Sequence, residues 1–189
     1  ISGEGRDERI CATYLRRALD CLKRRDFDGA HREVEQAKVL ASQSSEVWRI
    51  SALIYENAGD HYKAYQNYEY AVDLDPNSRI ARYSFGMFLM TDMDDLDGSL
   101  GQFDIGLKLD PSAAPILTAK AMALLRCGDF EGSANIHEQL LPSLHARERR
   151  WRLTGADQAA DCYRRWAHRA WEQKEYEQAA KYAKRAMAI

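Results

Sequence analysis

Small apolar residues and large aromatic ones recur along this chain at the three- and four-residue steps of amphipathic helices, and the whole pattern returns after 34 residues. The clearest copy runs from Ser45 to Ser78. It carries Trp48, Ala52 and Tyr55, then Gly59-Asp60, then Ala64, Tyr68, Ala71 and Pro76. Each copy predicts two short helices: a first (A) helix that ends at a glycine or an acidic turn, and a second (B) helix capped by the residue after it. Neither helix is long enough to be stable alone, so each must bury a face against its neighbours. The small residues Ala52, Ala64 and Ala71 allow axes to approach to roughly 8–10 Å. Trp48, Tyr55 and Tyr68 fill the gaps between pairs.

Four further copies are legible. The first, 11–44, has Tyr14, Ala18 and Cys21 on its A helix, Asp26-Phe27 at the turn, and Ala30, Val34 and Ala37 on its B helix. The third, 79–113, has Phe85-Gly86 and Leu89, then Ser99, Phe103, Gly106 and Pro111. It is one residue too long, and the extra residue is expected in the acidic turn around Asp92–Asp97. The fourth, 114–147, has Leu117, Ala121, Leu124, Gly128-Asp129-Phe130 and Ser133. It then departs: His137 and Leu140 stand where an aromatic and an alanine are expected, and Pro142 comes early. These bulkier residues are expected to hold the next helix farther away. Segment 148–159 is out of phase, either a sharp bend or an early helix start. A fifth copy, 160–189, resumes with Tyr163, Trp166-Ala167, Ala170, Glu175-Tyr176, Ala179, Ala183 and Ala186. Residues 1–10 read as an N-terminal flank outside the repeats, a scar or a disordered segment.

The spacing resembles the tetratricopeptide repeat (TPR), whose period is 34 residues. The resemblance implies an all-α fold, a right-handed α-solenoid of antiparallel helix pairs forming a TPR superhelix. It also implies a concave groove lined by A helices that binds a peptide or helical segment of a partner protein. Carried over position by position, the groove line is Leu15 and Leu19, Arg49 and Leu53, Tyr83 and Met87, Thr118 and Met122, then Arg164 and His168. Met90, Arg126 and Trp171 lie beside it. The line is mostly apolar, which suits an amphipathic or hydrophobic segment. Leu15 and Leu19 also fit a core role. The Lys and Asn clamp that some TPR proteins use for a C-terminal carboxylate is absent, since the matching positions hold Leu15, Leu19, Arg49 and Leu53.

Charge narrows the partner. The net charge is -2, so nothing pulls the whole chain toward nucleic acid or an anionic membrane. A local exception is 145–169, where Arg147, Arg149, Arg150, Arg152, Arg164, Arg165 and Arg169 interleave with Trp151 and Trp166. Arginines beside aromatics suit phosphates or single-stranded bases. The competing reading is a solvated helix face, helped by Glu148, Asp157 and Asp161, and an acidic peptide would also suit the patch. The acidic run Thr91–Gly98 fails as a calcium loop: with Gly98 at loop position six, position one is Met93 and position twelve is Asp104. An inter-helix turn is expected instead.

No metalloprotease, nucleophile-elbow, Walker or dinucleotide motif is present. The five histidines are scattered, His137 in a packing slot and His168 facing the groove. Cys11, Cys21, Cys127 and Cys162 form no metal-ligand spacing and read as reduced structural thiols of a cytoplasmic protein. A non-catalytic scaffold is therefore expected, without cofactor or metal. No membrane span or signal peptide is expected. The chain begins without methionine, and its last helix is Ala-rich, so a fragment of a longer protein or self-association through that helix is expected. A sensor or regulatory arm of a larger protein, such as a signal-transducing ATPase, is the alternative function, and nucleic-acid binding a further one.

Overall fold

The computed structural model describes residues 3–140 and 149–188, with side chains from 6–140 and 160–188. Ten helices and no strand occur among the described residues: α1 Gly3–Lys23, α2 Phe27–Leu40, α3 Ser45–Ala58, α4 His61–Leu74, α5 Arg79–Thr91, α6 Leu96–Leu109, α7 Ala114–Cys127, α8 Phe130–Leu140, α9 Arg149–Glu172 and α10 Tyr176–Ala188. They fall into two compact units, 1–109 and 110–189.

In the first unit each A helix packs along its own B helix, as α1 with α2, α3 with α4 and α5 with α6. Each B helix then touches the following A helix, and the A helices touch one another, α1 with α3 and α3 with α5. The alanines that the periodicity placed at contacts, Ala18, Ala30, Ala37, Ala52, Ala64 and Ala71, are fully buried. One core joins Cys11, Leu15, Ala18 and Val34 to Val47, Ile50 and Ile54. A second joins Ala52, Ala64 and Tyr68 to Ala81, Phe85, Phe88 and Leu89. Its centre is aromatic. The Tyr68 ring lies 5.9 Å from Phe85 and 5.3 Å from Phe88, centroid to centroid.

The turns follow from their residues. Gly59 and Gly128 end α3 and α7 with φ of 83° and 79°, a left-handed conformation that costs glycine little. Aspartates then cap the B helices. Asp26, Asp60, Asp95 and Asp129 accept hydrogen bonds from the backbone N–H groups of Gly29, Lys63, Gly98 and Gly132, at 2.8, 3.1, 2.9 and 2.8 Å. The α5–α6 connection, 92–95, is longer than the Gly59-Asp60 turn and absorbs the extra residue of the third copy, with Asp94 left-handed at φ 54°. The acidic run is thus a turn plus a helix cap. Among the described residues no group of three or more His, Cys, Asp or Glu is placed to hold a metal.

Two expectations need revision. The chain is helical from Gly3 onward, since no proline or glycine lies between Gly5 and Cys11 to break the helix. In the second unit, α8 is not held away from α9. It meets α9 along a longer contact than α2 makes with α3 or α4 with α5. The small residues Ser133 and Ala134 decide the spacing. Ser133 Oγ donates to the Ala121 carbonyl at 2.9 Å and lies 3.3 Å from Cys162 Sγ, linking α7, α8 and α9. His137 is accommodated by burial, and its environment lowers its pKa. The out-of-phase segment enters α9, an extended helix start rather than a bend. Pro142 and the rest of 141–148 lie outside the described residues.

Gly86 shows how tightly the third pair is fitted. A Cβ at this position would lie 2.5 Å from Phe103 Cε1, and Phe103 is fully buried. Alanine favours a helix over glycine by about 1 kcal/mol, while overpacking a core costs about 1–3 kcal/mol. Gly86→Ala is therefore expected to destabilise the first unit by up to about 2 kcal/mol in urea melts. Combined with Phe103→Leu, its cost should be smaller than the sum of the two single costs. Full additivity would mean that the two residues do not share this space.

Candidate functional site

Several apolar side chains on the A helices of the first unit keep part of their surface open. Leu53 on α3 and Tyr83 and Met87 on α5 are each half-buried. Tyr83 and Met87 stand one helical turn apart, and α3 packs directly on α5. Arg49, expected in the groove line, is ion-paired on its own helix. Its Nε and Nη2 donate to the Glu46 carboxylate at 2.7 and 2.6 Å, and Nη1 reaches Ser84 Oγ at 3.5 Å. The fork geometry explains the preference: one carboxylate three residues back satisfies two donors at once. Only 15% of the Arg49 side chain is exposed. The Glu46 hydrogen bonds hold the guanidinium pKa above its usual value, so the group stays charged and occupied.

Met90 is also corrected. It is fully buried and cannot line an open surface, whereas Met87, one turn earlier, keeps part of its surface free. Leu15 is core, and Leu19 packs against the same cluster.

In the second unit Thr118, Met122 and Arg126 on α7 are exposed, Met122 at 47%. The Thr118 hydroxyl donates to the Ala114 carbonyl one turn back. Arg164 and His168 on α9 are exposed, but both have acidic neighbours: Arg164 Nη2 is 3.5 Å from Asp161 and His168 Nδ1 is 3.7 Å from Glu172. Arg165 shares Asp161 at 2.7 Å, and Arg169 donates to the Gly128 carbonyl at 2.9 Å. Three of the seven arginines of the basic segment are thus tied to the protein itself. Arg147, and the side chains of Arg149, Arg150, Trp151 and Arg152, lie outside the described residues. Trp171 is 63% exposed, edge-on to Tyr176 with centroids 5.0 Å apart.

Two features escaped the sequence reading. In the first unit the Tyr68 hydroxyl donates to Glu56 Oε2 at 2.6 Å. Burial raises the Glu56 pKa, and the Tyr68 hydrogen bond only partly opposes this. The sign follows: the folded state favours protonated Glu56, so this contribution to stability is present below the ordinary carboxylate value and lost as pH rises through the raised one. Glu56→Gln, which keeps an acceptor for Tyr68, is expected to gain stability relative to the parent as pH is raised from about 4 to about 7. Thermal melts across that range check it, and a difference that stays flat or reverses would contradict the assignment.

In the second unit Arg185 on α10 grips Glu138 on α8 at 2.8 and 2.6 Å. Arg185 and the Tyr163 hydroxyl together hold the Glu138 carboxyl below its usual range. The pair lies beside a cleft of about 690 Å³ whose wall includes Trp166 and Tyr182. No local spacing could have announced a contact between residues so far apart in sequence.

No protein-family model matches the sequence, and no curated protein matches it. Solved structures do. PilF of Pseudomonas aeruginosa superposes with a TM-score of 0.71 at 16% identity, over 93% of this chain and 74% of that one. MamA gives 0.65 at 16%, over 95% and 91%. YrrB, a TPR protein with an unusual peptide-binding site, gives 0.63 at 13%, over 93% and 84%. The chain therefore has the fold of the tetratricopeptide-repeat proteins. The ten helices among the described residues amount to about five such repeats, as the 34-residue period implied.

Proposed function

We propose that the chain is a non-catalytic protein-interaction scaffold that holds a peptide or helical segment of a partner against its A-helix faces. The observation that carries the reading is the apolar surface of Leu53, Tyr83 and Met87, left open on adjoining helices while Arg49 beside it is neutralised by Glu46. A partly open aromatic and a flexible thioether on one face suit an apolar or amphipathic segment. Thr118, Met122, Arg126, Arg164 and His168 are the contacts proposed in the second unit. That YrrB is a peptide-binding member of the same fold supports the reading. Function then comes from holding a partner, since a fold alone supplies no chemistry.

The arginines already paired with Asp161 and bonded to Gly128 favour a solvated α9 face over a nucleic-acid surface. The proposed location is the cytoplasm: all four cysteines are free, and Cys11, Cys21 and Cys162 are buried. No described helix is long and apolar enough to cross a membrane. The test is a library of immobilised apolar, amphipathic and acidic peptides, probed with the parent chain and with Tyr83→Glu/Met87→Glu. Selective retention of apolar or amphipathic peptides by the parent alone is expected. Equal retention by both would move the binding surface elsewhere.

A further inference from the structure

Among the described residues, helix α10 keeps a third face largely exposed. Ala179 and Tyr182 are buried and, with Ala186, pack against α9 in the core of the second unit. Arg185 turns to Glu138 on α8. That leaves Tyr176, Ala180, Ala183 and Met187, which recur at steps of four, three and four residues and so form one stripe along the helix. All four are exposed, Tyr176 at 54% and Met187 at 80%. A continuous apolar stripe on a charged helix is the pattern of an interface.

We infer that this stripe is a homodimer interface, in which α10 pairs antiparallel with α10 of a second copy. The stripe is self-complementary. A two-fold axis placed midway between Ala180 and Ala183 sets Ala180 against the partner's Ala183 and Tyr176 against the partner's Met187. The alanines let the two backbones come close at the centre. At each end a flat aromatic meets a flexible thioether, a favourable contact. The charges flanking the stripe agree with this arrangement. Glu177 and Lys184 lie along the same edge, and neither has an ion-pair partner among the described residues. Antiparallel pairing brings Glu177 beside the partner's Lys184, and the symmetry repeats the contact at the other end. Parallel pairing would instead set the Glu177–Lys184 edge against the partner's opposite edge, where Ala179 and Ala186 pack into the chain's own core, and would leave the charges without a counterpart. The exposed Trp171, edge-on to Tyr176, extends the apolar surface at the end of the stripe.

The test is sedimentation equilibrium of the 189-residue chain from about 1 to about 300 μM, a range suited to a small interface. The mass is expected to rise from one chain to two. Met187→Glu should remain one chain throughout. Glu177→Lys and Lys184→Glu should each weaken association at least about tenfold. The double variant should return to within about threefold of the parent, and mixing the two single variants should give a heterodimer. All these positions are exposed, so helicity by circular dichroism should be unchanged. A parent chain that stays single, or a dimer indifferent to the charge exchange, would overturn the inference.

Discussion

Replacing Tyr68 with alanine is expected to remove about 3–5 kcal/mol from the stability of the first unit, the largest loss foreseen for any one side chain. Three effects act in the same direction. The side chain is 1% exposed, and its removal leaves a void among fixed alanines that cannot move in to fill it. The ring contacts to Phe85 and Phe88 link α4 to α5, so the third helix pair loses its seat on the second. The Glu56 carboxylate also loses the hydroxyl that donates to it. An ordinary domain has only about 5–15 kcal/mol in reserve, so such a loss brings the unit close to unfolding. Tyr68→Phe separates the contributions. It keeps the ring and removes only the hydrogen bond, at a cost of about 1–3 kcal/mol. Urea melts followed by circular dichroism measure both. A Tyr68→Ala midpoint close to that of Tyr68→Phe would show that the ring is not the keystone of the second core.

The second large effect concerns binding. Tyr83→Glu/Met87→Glu is expected to lower affinity for a bound apolar segment by about 100-fold or more. Each glutamate would bring an unpaired carboxylate into a contact that must exclude water, and carboxylates resist such burial. The apolar contact of both residues is lost as well. Because Tyr83 and Met87 are only half-buried in the chain itself, helicity should persist, which separates a binding defect from a folding one. Titration of a selected peptide, followed by fluorescence anisotropy, measures the loss. A reduction below about threefold would place the main contacts off α5.

These two residues also mark the limit of what the sequence conveys. The repeat period placed Ala52, Ala64 and Tyr68 in the core because small and aromatic residues at fixed helical steps have no other stable arrangement. All three are buried. The same period placed the extra residue of the third copy at the acidic turn, where the connection is in fact longer. The period does not set which A-helix positions stay open. Position along a helix sets direction, but neighbouring helices set exposure, so Met90 is covered while Met87 is not. Arg49 pairs with Glu46, three residues earlier, a partner that its direction along the helix does not reveal. The Gly86–Phe103 fit was visible as two motif residues, though not as a contact. The Arg185–Glu138 grip depends on how α8, α9 and α10 pack, which no local pattern encodes.

A partner segment held on the A helices should be reached by position-specific photo-crosslinking from those helices alone. A photoreactive side chain placed at Tyr83 on α5 would be compared with the same group at Tyr62 on α4, a B helix, where the native tyrosine is 73% exposed. Exposure alone favours crosslinking at Tyr62, so the two sites discriminate. With a peptide selected from the library, crosslinks are expected at Tyr83 and none above background at Tyr62. Crosslinks at Tyr62 with Tyr83 silent would contradict it.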